Sequence, residues 1–338
     1  MRASIRAIEY YFPQERLSNE TLAAEYPDWT AEKIHEKIGI DERHIAAPGE
    51  NSSDLAAAAI LKLFESGAIA PADVDYLILC TQSPDYFLPT TACLVQNKVG
   101  LPKTCGALDI NLGCSGYIYG LGLAKGLIES GQAHNVVLVT AETYSKFIHP
   151  KDKSVRTLFG DAAAATLISD APGVGALVGP FAYGTDGSGA ENLIVPTGGM
   201  RRAFEPNAEL QSDDSGNQRT INNLYMNGAE IFAFTLRAVP EVVNRVLAPG
   251  GLTTNDVDIF VMHQANAYML AHLQRKLRLP ADKFVIDMAD CGNTVSSTIP
   301  IALRRTMDRG VIKPGMRVML VGFGVGYSWG ATLVDWTQ

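Results

Sequence analysis

Residues 107–126 read ALDINLGCSGYIYGLGLAKG, and their reading decides the fold. Residues 107–111 predict a short apolar strand in which Asp109 is the one charge. Leu112-Gly113-Cys114-Ser115-Gly116 predicts a tight turn. Beyond it the spacing predicts a helix that carries Gly116, Gly120, Gly122 and Gly126. A glycine inside a helix costs roughly 1 kcal/mol relative to alanine. Four of them predict a central helix against which other elements press closely. Cys114 falls at the N-terminus of that helix, where unpaired backbone N–H groups and the macrodipole favour an anion. Such a setting lowers a thiol's pKa and yields a nucleophilic thiolate. Cys114 also reads as a small buried hydrophobe, which is what most free cysteines are.

The 338 residues around this stretch are 47% hydrophobic and 19% charged, a balance that fits one large globular domain or two intimate halves. The formal net charge is −8 and no Lys/Arg run interleaves with aromatics, so nucleic acid is not an expected partner. Cysteines stand at 80, 93, 105, 114 and 291, an odd number with apolar flanks. That usage predicts reduced thiols and a cytoplasmic protein rather than a disulfide framework. No CxxC or His-rich cluster occurs, so no metal site is expected. The N-terminus MRASIRAIEYYFP lacks the pattern of a signal peptide. No apolar run approaches the ~18 residues of a membrane span, so no membrane association is expected.

Along the chain, residues 4–11 predict a strand stopped by Pro13. Ser18 and Asn19 predict the cap of a helix reaching Tyr26. Residues 33–45 form an amphipathic, charged stretch. Residues 54–66 predict a helix capped from Asn51 to Ser53, and 91–99 another. Residues 74–81 (VDYLILCT), 135–140 (NVVLVT) and 162–169 read as buried strands. From 171 to 219 Gly, Pro, Asp and Ser dominate and the periodicity breaks down, which predicts a connection partly covering a site. Residues 227–246 predict a helix with a kink or restart at Pro240.

The second part of the chain repeats the first. VDIFVMH at 257–263 echoes VDYLILC at 74–80, a separation of 183. FVID at 284–287, followed by Cys291-Gly292-Asn293, echoes 107–114; matching Asp287 to Asp109 gives 178. RVMLV at 317–321 echoes NVVLV at 135–139, a separation of 182, and ATLV at 331–334 echoes ATLI at 165–168. The chain therefore predicts two βαβ-rich halves on one plan: a nucleophile half over 1–170, a connecting or cap segment over 171–219, and a second half over 220–338.

Duplication carries a geometric expectation. Corresponding loops of two pseudo-symmetric halves meet about their shared axis, and parallel strands present ligand chemistry outside their carboxyl ends. Cys114, His263 and Asn293 are thus expected to converge. Cysteine, histidine and an amide together suit acyl transfer: the thiolate attacks a thioester carbonyl. The backbone N–H groups of Cys114 and of a residue in Gly322-Phe323-Gly324-Val325-Gly326 are candidates to hold the oxyanion. His263 and Asn293 could hold a second developing charge, such as a thioester enolate. Taken singly, His263 also reads as structural, Asn293 as a turn residue, and the glycine loop as a close-approach segment.

These residues resemble the beta-ketoacyl-acyl-carrier-protein synthase III family, a branch of the thiolase superfamily. The resemblance spans essentially the whole chain. It rests on GIDERHI at 39–45, Cys114-Ser115-Gly116, Phe159-Gly160-Asp161, His263-Gln264-Ala265-Asn266, Gly292-Asn293-Thr294 and the run from Gly322 to Trp329-Gly330. It implies a thiolase-like, five-layered αβαβα fold of the α/β class, with two pseudo-symmetric halves that each hold a mixed, largely parallel sheet. It implies a homodimer, with an acyl carrier protein as a further partner. No bound cofactor is implied; acyl-CoA is a substrate. The implied chemistry is ping-pong: acyl-CoA loads Cys114, then a malonyl thioester loses CO2 with help from His263 and Asn293. Its carbanion attacks the acyl-enzyme and a 3-oxoacyl thioester leaves.

At the positions where members of the family stack a Trp and an Arg on adenine, this chain has Lys33 and Lys37, and lysine cannot stack in that way. Lys153 matches a CoA-phosphate arginine. Phe87 and Leu88 match a loop that caps the partner subunit's acyl pocket. Tyr268 and Ala233 stand where basic residues meet the carrier protein. Val325, between Gly324 and Gly326, matches the residue that supplies the oxyanion N–H. Arg275, Lys276 and Arg278 read either as a docking patch or as a solvated helix face. Fatty-acid initiation and specialised metabolism both remain open on these departures. So does an acyltransferase that passes the Cys114-bound group to an amine or alcohol without decarboxylation, and so does a silent partner subunit.

Overall fold

A computed structural model describes residues 2–26, 28–170 and 175–337. The chain opens with β1 (Ala3–Tyr11). A small antiparallel pair follows, β2 (Glu15–Ser18) and β3 (Glu42–Ile45), bracketing α1 (Asn19–Glu25) and α2 (Ala31–Ile38). The Ser18 hydroxyl caps α1 by accepting from the Thr21 N–H at 3.3 Å. The stretch 33–45, expected as one amphipathic segment, is instead a helix and a strand. Gly39 at φ 71° ends α2 in the left-handed conformation, and the chain then extends into β3.

Next come α3 (Ser52–Glu65), β4 (Tyr76–Cys80), α4 (Thr91–Lys98), β5 (Gly106–Ile110) and α5 (Gly116–Glu129). They are followed by β6 (Asn135–Glu142), the single turn α6 (Lys153–Arg156) and β7 (Ala162–Asp170). Asp109 holds the N-terminus of α4: its carboxylate accepts from the N–H groups of Thr91 and Ala92, each at 2.7 Å. The connection expected from 171 begins at residues 171–174, outside the described residues. Residues 176–185 within it are a ten-residue strand, β8 (Ala176–Thr185). Its Gly179-Pro180 and Gly184 mask the strand pattern in the sequence. The remainder of the segment holds the two-residue ladders β9 (Leu193–Ile194) with β12 (Tyr225–Met226), and β10 (Gln211–Ser212) with β11 (Gln218–Arg219).

The last third holds α7 (Gly228–Leu247), β13 (Ile259–Met262), α8 (Ala267–Leu277), α9 (Thr298–Asp308), β14 (Arg317–Gly324) and β15 (Ser328–Trp336). Helix α7 runs through Pro240, so the restart expected there is absent. An interior proline costs ~3 kcal/mol. Burial of Val239, Val242, Val243 and Val246 on one face offsets it, each worth roughly 1.5–3 kcal/mol.

The strands form one mixed sheet in the order β5-β4-β6-β7-β1-β8-β15-β14-β13. Read outward from its middle, the sheet repeats itself. β1-β7-β6-β4-β5 pair antiparallel, antiparallel, parallel, parallel, and β8-β15-β14-β13 pair antiparallel, antiparallel, parallel. Three of the four sequence echoes fall on equivalent strands, β4 with β13, β6 with β14 and β7 with β15, and the fourth sets β5 against residues 284–287 beside β13. The halves join where β1 meets β8 at Ser4↔Leu177 and Ile5↔Ala176. Parallel pairing is confined to the outer strands of each half. The balance is therefore more antiparallel than "largely parallel", because β7 and β15 return as hairpin-like neighbours of β6 and β14.

The strand expected over 284–287 is reduced to one parallel bridge, Phe260↔Phe284. The Gln264 side chain explains the loss. Its Oε1 accepts from the Asp287 N–H at 2.8 Å, and its Nε2 donates to Met262 O at 2.6 Å and Val285 O at 3.3 Å. A carboxamide thus replaces the next rungs of the ladder.

Helices α5 and α9 touch strands of both halves, whereas α3 and α4 cover the outside of the first half and α7 and α8 the outside of the second. The five layers are α3/α4, first-half strands, α5/α9, second-half strands and α7/α8. Close approach to α5 accounts for its glycines. A Cβ on Gly116 would lie 2.1 Å from Cys80 Sγ, on Gly120 2.5 Å from Leu138 Cδ1, and on Gly122 1.9 Å from Tyr183 Oη. Gly126 has open space, and nothing in the structure explains it. No helix among the described residues is long and apolar enough to cross a membrane.

Candidate active site

The turn before α5 is closed by the Gly116 N–H donating to Gly113 O at 2.7 Å, and by the Cys80 thiol donating to Leu112 O at 3.0 Å. Cys114 lies one residue before the N-cap Ser115 and is 5% exposed. Strand β14 passes directly over it. A Cβ on Gly322 would sit 2.8 Å from Cys114 O, and one on Gly324 would sit 3.0 Å from Cys114 Sγ. The glycines of that loop are therefore close-approach residues. Val325 is partly buried against the core, with its Cγ1 3.2 Å from the Cβ position of Gly113. Gly326 follows at φ 143°.

His263 continues the line of β13, its N–H donating to Val321 O at 2.8 Å. It is buried, edge-on to Phe323 with centroids 5.3 Å apart, and its Nδ1 lies 2.8 Å from Thr298 Oγ1. Burial lowers its pKa to about 3, so the imidazole is neutral at physiological pH.

Asn293 is fixed by its backbone and by its side chain. Its N–H donates to Leu158 O at 2.9 Å, and its carbonyl accepts from the Gly160 N–H at 3.1 Å. Its Oδ1 accepts from the Val295 N–H at 3.0 Å, which turns Nδ2 toward Ala265 O at 3.4 Å and leaves one amide hydrogen free. Val295 holds φ 54°, costly for a β-branched residue by roughly 1–3 kcal/mol. The surrounding bonds impose that strain beside Asn293. Behind the loop, the fully buried Arg43 donates from Nε to Thr157 O at 2.8 Å and from NH1 to Asn19 Oδ1 at 2.6 Å. Burial pulls its pKa down to about 10.

Cys114, His263 and Asn293 line one pocket. Leu158, Phe159, Phe323 and Gly324 form its floor and wall. Leu193, Met226, Gly228 and Ile231 enter from the connecting segment and the start of α7, and Ala265, Asn266 and Met269 from the start of α8. Leu193 falls within the segment expected to cover a site, whereas Met226, Gly228 and Ile231 lie beyond it and carry no motif. The wall is mostly apolar, which suits an acyl chain more than a polar substrate.

The expected depressed thiol pKa is not found. Burial raises Cys114 to about 12, and the buried Glu142 adds to the rise. Desolvation outweighs the helix N-terminus, so the resting pair is a neutral thiol and a neutral imidazole. Sequence reading also missed Glu142 and Thr298, which bear on Cys114 and His263 from outside the pocket lining.

The other candidate residues do not line this pocket. Lys33 Nζ donates to Asp28 O at 3.1 Å, and Lys37 Nζ stands 4.7 Å over the Trp29 ring. Lys153 is the first residue of α6. Phe87 and Leu88 are 79% and 83% exposed, on the loop before α4. Arg275 and Lys276 lie in the last turn of α8, where Arg275 donates to His272 Nε2 at 3.0 Å. Among the described residues, no group of three His, Cys, Asp or Glu could hold a metal ion.

Comparison with known proteins places this geometry. Residues 108–187 match the family model described as 3-oxoacyl-[acyl-carrier-protein] synthase III, and residues 247–336 match that of its C-terminal part. A beta-ketoacyl-[acyl-carrier-protein] synthase III of Clostridioides difficile is 36% identical over 336 residues, 99% of each chain. A crystal structure described as 3-oxoacyl-(acyl-carrier-protein) synthase III superposes with a TM-score of 0.97 at 53% identity, covering 99% of this chain and all of the other. A 3-oxoacyl-(acyl-carrier protein) synthase from Burkholderia xenovorans LB400 superposes at 0.90 with 35% identity, covering all of this chain and 95% of the other.

Proposed function

Because this chain belongs to the 3-oxoacyl-[acyl-carrier-protein] synthase III family, we propose that it condenses an acyl-CoA primer with a malonyl thioester through an acyl-Cys114 intermediate. CO2 and a 3-oxoacyl thioester are the products. The observation that carries this reading is the single pocket shared by Cys114, His263 and Asn293.

In the loading step the thiol is neutral, so its proton must leave as sulfur attacks. His263 Nε2 takes it and then returns it to the departing CoA sulfur. The Thr298 hydroxyl suits that role. It donates to Val295 O at 3.0 Å and so accepts from His263 Nδ1–H, which leaves a lone pair on Nε2. In the second step the malonyl carboxylate leaves as CO2 and its electrons move into the thioester carbonyl. The free N–H of Asn293 and an Nε2–H of His263 hold the resulting enolate oxygen. For Nε2 to carry that hydrogen, the ring gives its Nδ1 proton to solvent and takes one from solvent at Nε2 between the two steps, and the Thr298 hydroxyl turns to donate to the freed Nδ1. The enolate carbon then attacks the acyl-enzyme, with the N–H groups of Cys114 and Val325 around the new oxyanion; collapse of that oxyanion breaks the acyl–sulfur bond, and the Cys114 thiolate takes a proton from solvent.

The finer assignments belong to the same proposal. Lys33, Lys37 and Lys153 contact the CoA nucleotide, with Trp29 offering the aromatic face beside Lys37. Arg275 and Lys276 meet an acidic carrier protein. Phe87 and Leu88 cover the acyl pocket of a second copy in a homodimer. The test is mass spectrometry of the Cys114 peptide after exposure to a mixed acyl-CoA pool, then measurement of CO2 from a malonyl thioester. An acyl mass on Cys114 and CO2 release are expected. Absence of the adduct, or adduct without CO2, overturns the reading, the latter in favour of simple acyl transfer.

A further inference from the structure

Glu142, the last residue of β6, is fully buried yet does not line the pocket. Its carboxylate accepts from the Ser296 hydroxyl at 2.9 Å, from the Ser83 hydroxyl at 3.0 Å, and from the Gln82 N–H at 3.1 and 3.3 Å. None of these donors is a cation. Gln82 and Ser83 follow β4, whose last residue Cys80 bonds Leu112 O in the Cys114 turn. Ser296 lies between Val295, which orients the Asn293 amide, and Thr298, which holds the His263 ring. One carboxylate thus bridges the first half of the site to the second.

We propose that Glu142 is a positioning residue of the condensation, tying the Cys114 turn to the turn that orients Asn293 and His263 while placing a buried acid, rather than a neutral amide, near the thiol. The proposal rests on the acyl-Cys114 reading above. A glutamine could make the same tie, so the acid supplies something more than a bridge. Its electrostatic neighbours are Cys80, Cys114, Tyr144 and Asp161, all of them groups that ionise to anions. Burial raises Glu142 itself to about 8. Near neutral pH it is largely protonated and does not oppose departure of the Cys114 proton. Above that range it does, and the nucleophile gains less from rising pH than an isolated thiol would.

The experiment is the rate of iodoacetamide alkylation at Cys114, read by mass spectrometry from pH 6 to 10, with exposed Cys93 as the internal control. In Glu142→Gln the Cys114 profile is expected to move to lower pH by on the order of one unit, about tenfold in rate on its rising limb. Cys93 should not move. Glu142→Asp, which keeps the charge, should stay with the wild type. A Glu142→Gln profile that superimposes on the wild type overturns the proposal. If that variant does not fold, Ser296→Ala carries the test. It removes one donor to the carboxylate and disfavours its ionised form, so a smaller shift in the same direction is expected and no shift overturns. Alkylation needs no acyl-CoA, so failure of acyl loading would sink the condensation reading without touching this result.

Discussion

A Cβ built on Gly324 would lie 2.8 Å from Cys114 Cβ and 3.0 Å from Cys114 Sγ. No real Cβ tolerates the shorter of those distances, so β14 and the Cys114 turn must separate if residue 324 carries a side chain. Gly324→Ala is expected to lower acyl loading of Cys114 by at least ~100-fold, since displacement on the order of 1 Å at a reacting centre costs that much. The stability loss should be modest, roughly 1–3 kcal/mol of overpacking. Single-turnover loading with acyl-CoA, beside a thermal melt, separates the two effects. Near-normal loading would contradict the proximity.

Asn293 and Cys114 serve different steps in the proposed reaction, so their variants should part company. Asn293→Ala is expected to take up an acyl group at close to the normal extent yet release CO2 from a malonyl thioester about 10²–10³-fold more slowly, the usual cost of losing one oxyanion donor. Cys114→Ala should take up none. Loading assayed by intact mass and decarboxylation assayed by CO2 capture give the two numbers. Equal loss of both activities in Asn293→Ala would mean that the residue supports the fold more than the enolate.

The pH dependence of stability follows from two buried groups with opposite shifts. His263 titrates near 3 in the folded chain and near 6.5 when unfolded, so its contribution is intact above about 6.5 and is lost as pH falls toward 3. Glu142 titrates near 8 folded and 4.5 unfolded, so its contribution is intact below 4.5 and is lost as pH rises through 8. Between 4.5 and 6.5 the two slopes oppose. Between 6.5 and 8 the Glu142 slope remains, worth up to about 2 kcal/mol at 1.36 kcal/mol per unit. The Tm is expected to fall by a few degrees across that window, and to fall less in Glu142→Gln. Parallel melts at pH 6.5 and 8 decide it.

Arg43 is a buried guanidinium bonded to carbonyl oxygens and an amide rather than to a carboxylate. Removing it leaves Thr157 O and the Asn19 side chain without their donor. Arg43→Ala is expected to cost roughly 3–5 kcal/mol. It should also slow CO2 release, because Leu158 and Gly160, which fix the Asn293 backbone, adjoin Thr157. Arg43→Lys should recover little, since one ammonium cannot reproduce the fork. Chemical denaturation measures the first effect and the decarboxylation assay the second.

Much of the architecture was legible because duplication leaves a trace that local propensity does not. Four apolar stretches recurred in order; three proved to be strands in equivalent places in the sheet, and the fourth, at 284–287, touches it by one bridge. The glycines of α5 also announced a crowded helix correctly. What failed was local. β8 hides behind Gly179, Pro180 and Gly184, whose strand conformation is imposed by β15 and β1 on either side. The strand at 284–287 was read from its apolar residues, yet Gln264, which precedes it by twenty residues in sequence, takes its hydrogen bonds. At the site, residue types pointed to Cys114, His263 and Asn293, but the protonation state of the thiol was misjudged. Helix-end electrostatics can be read from a sequence position, whereas burial and the approach of Glu142 are products of the finished fold. Leu193 lies in the segment expected to cover a site, but the apolar lining from Met226 and Ile231 had no signal because its residues are ordinary and distant along the chain.

Gln264 has one more consequence. The arm that bears Asn293 is moored to β13 by one backbone bond, Val285 N–H to Phe260 O, and by the Gln264 carboxamide instead of by a continuous ladder. A ladder dictates length, since adding one residue flips every following side chain to the opposite face. A mooring does not. A change of length within 286–290 therefore spares the register of β13 and β14 and falls instead on the bonds this arm makes elsewhere: Ala289 O with the Asp41 and Glu42 N–H groups, and Asp287 and Asp290 with Arg305.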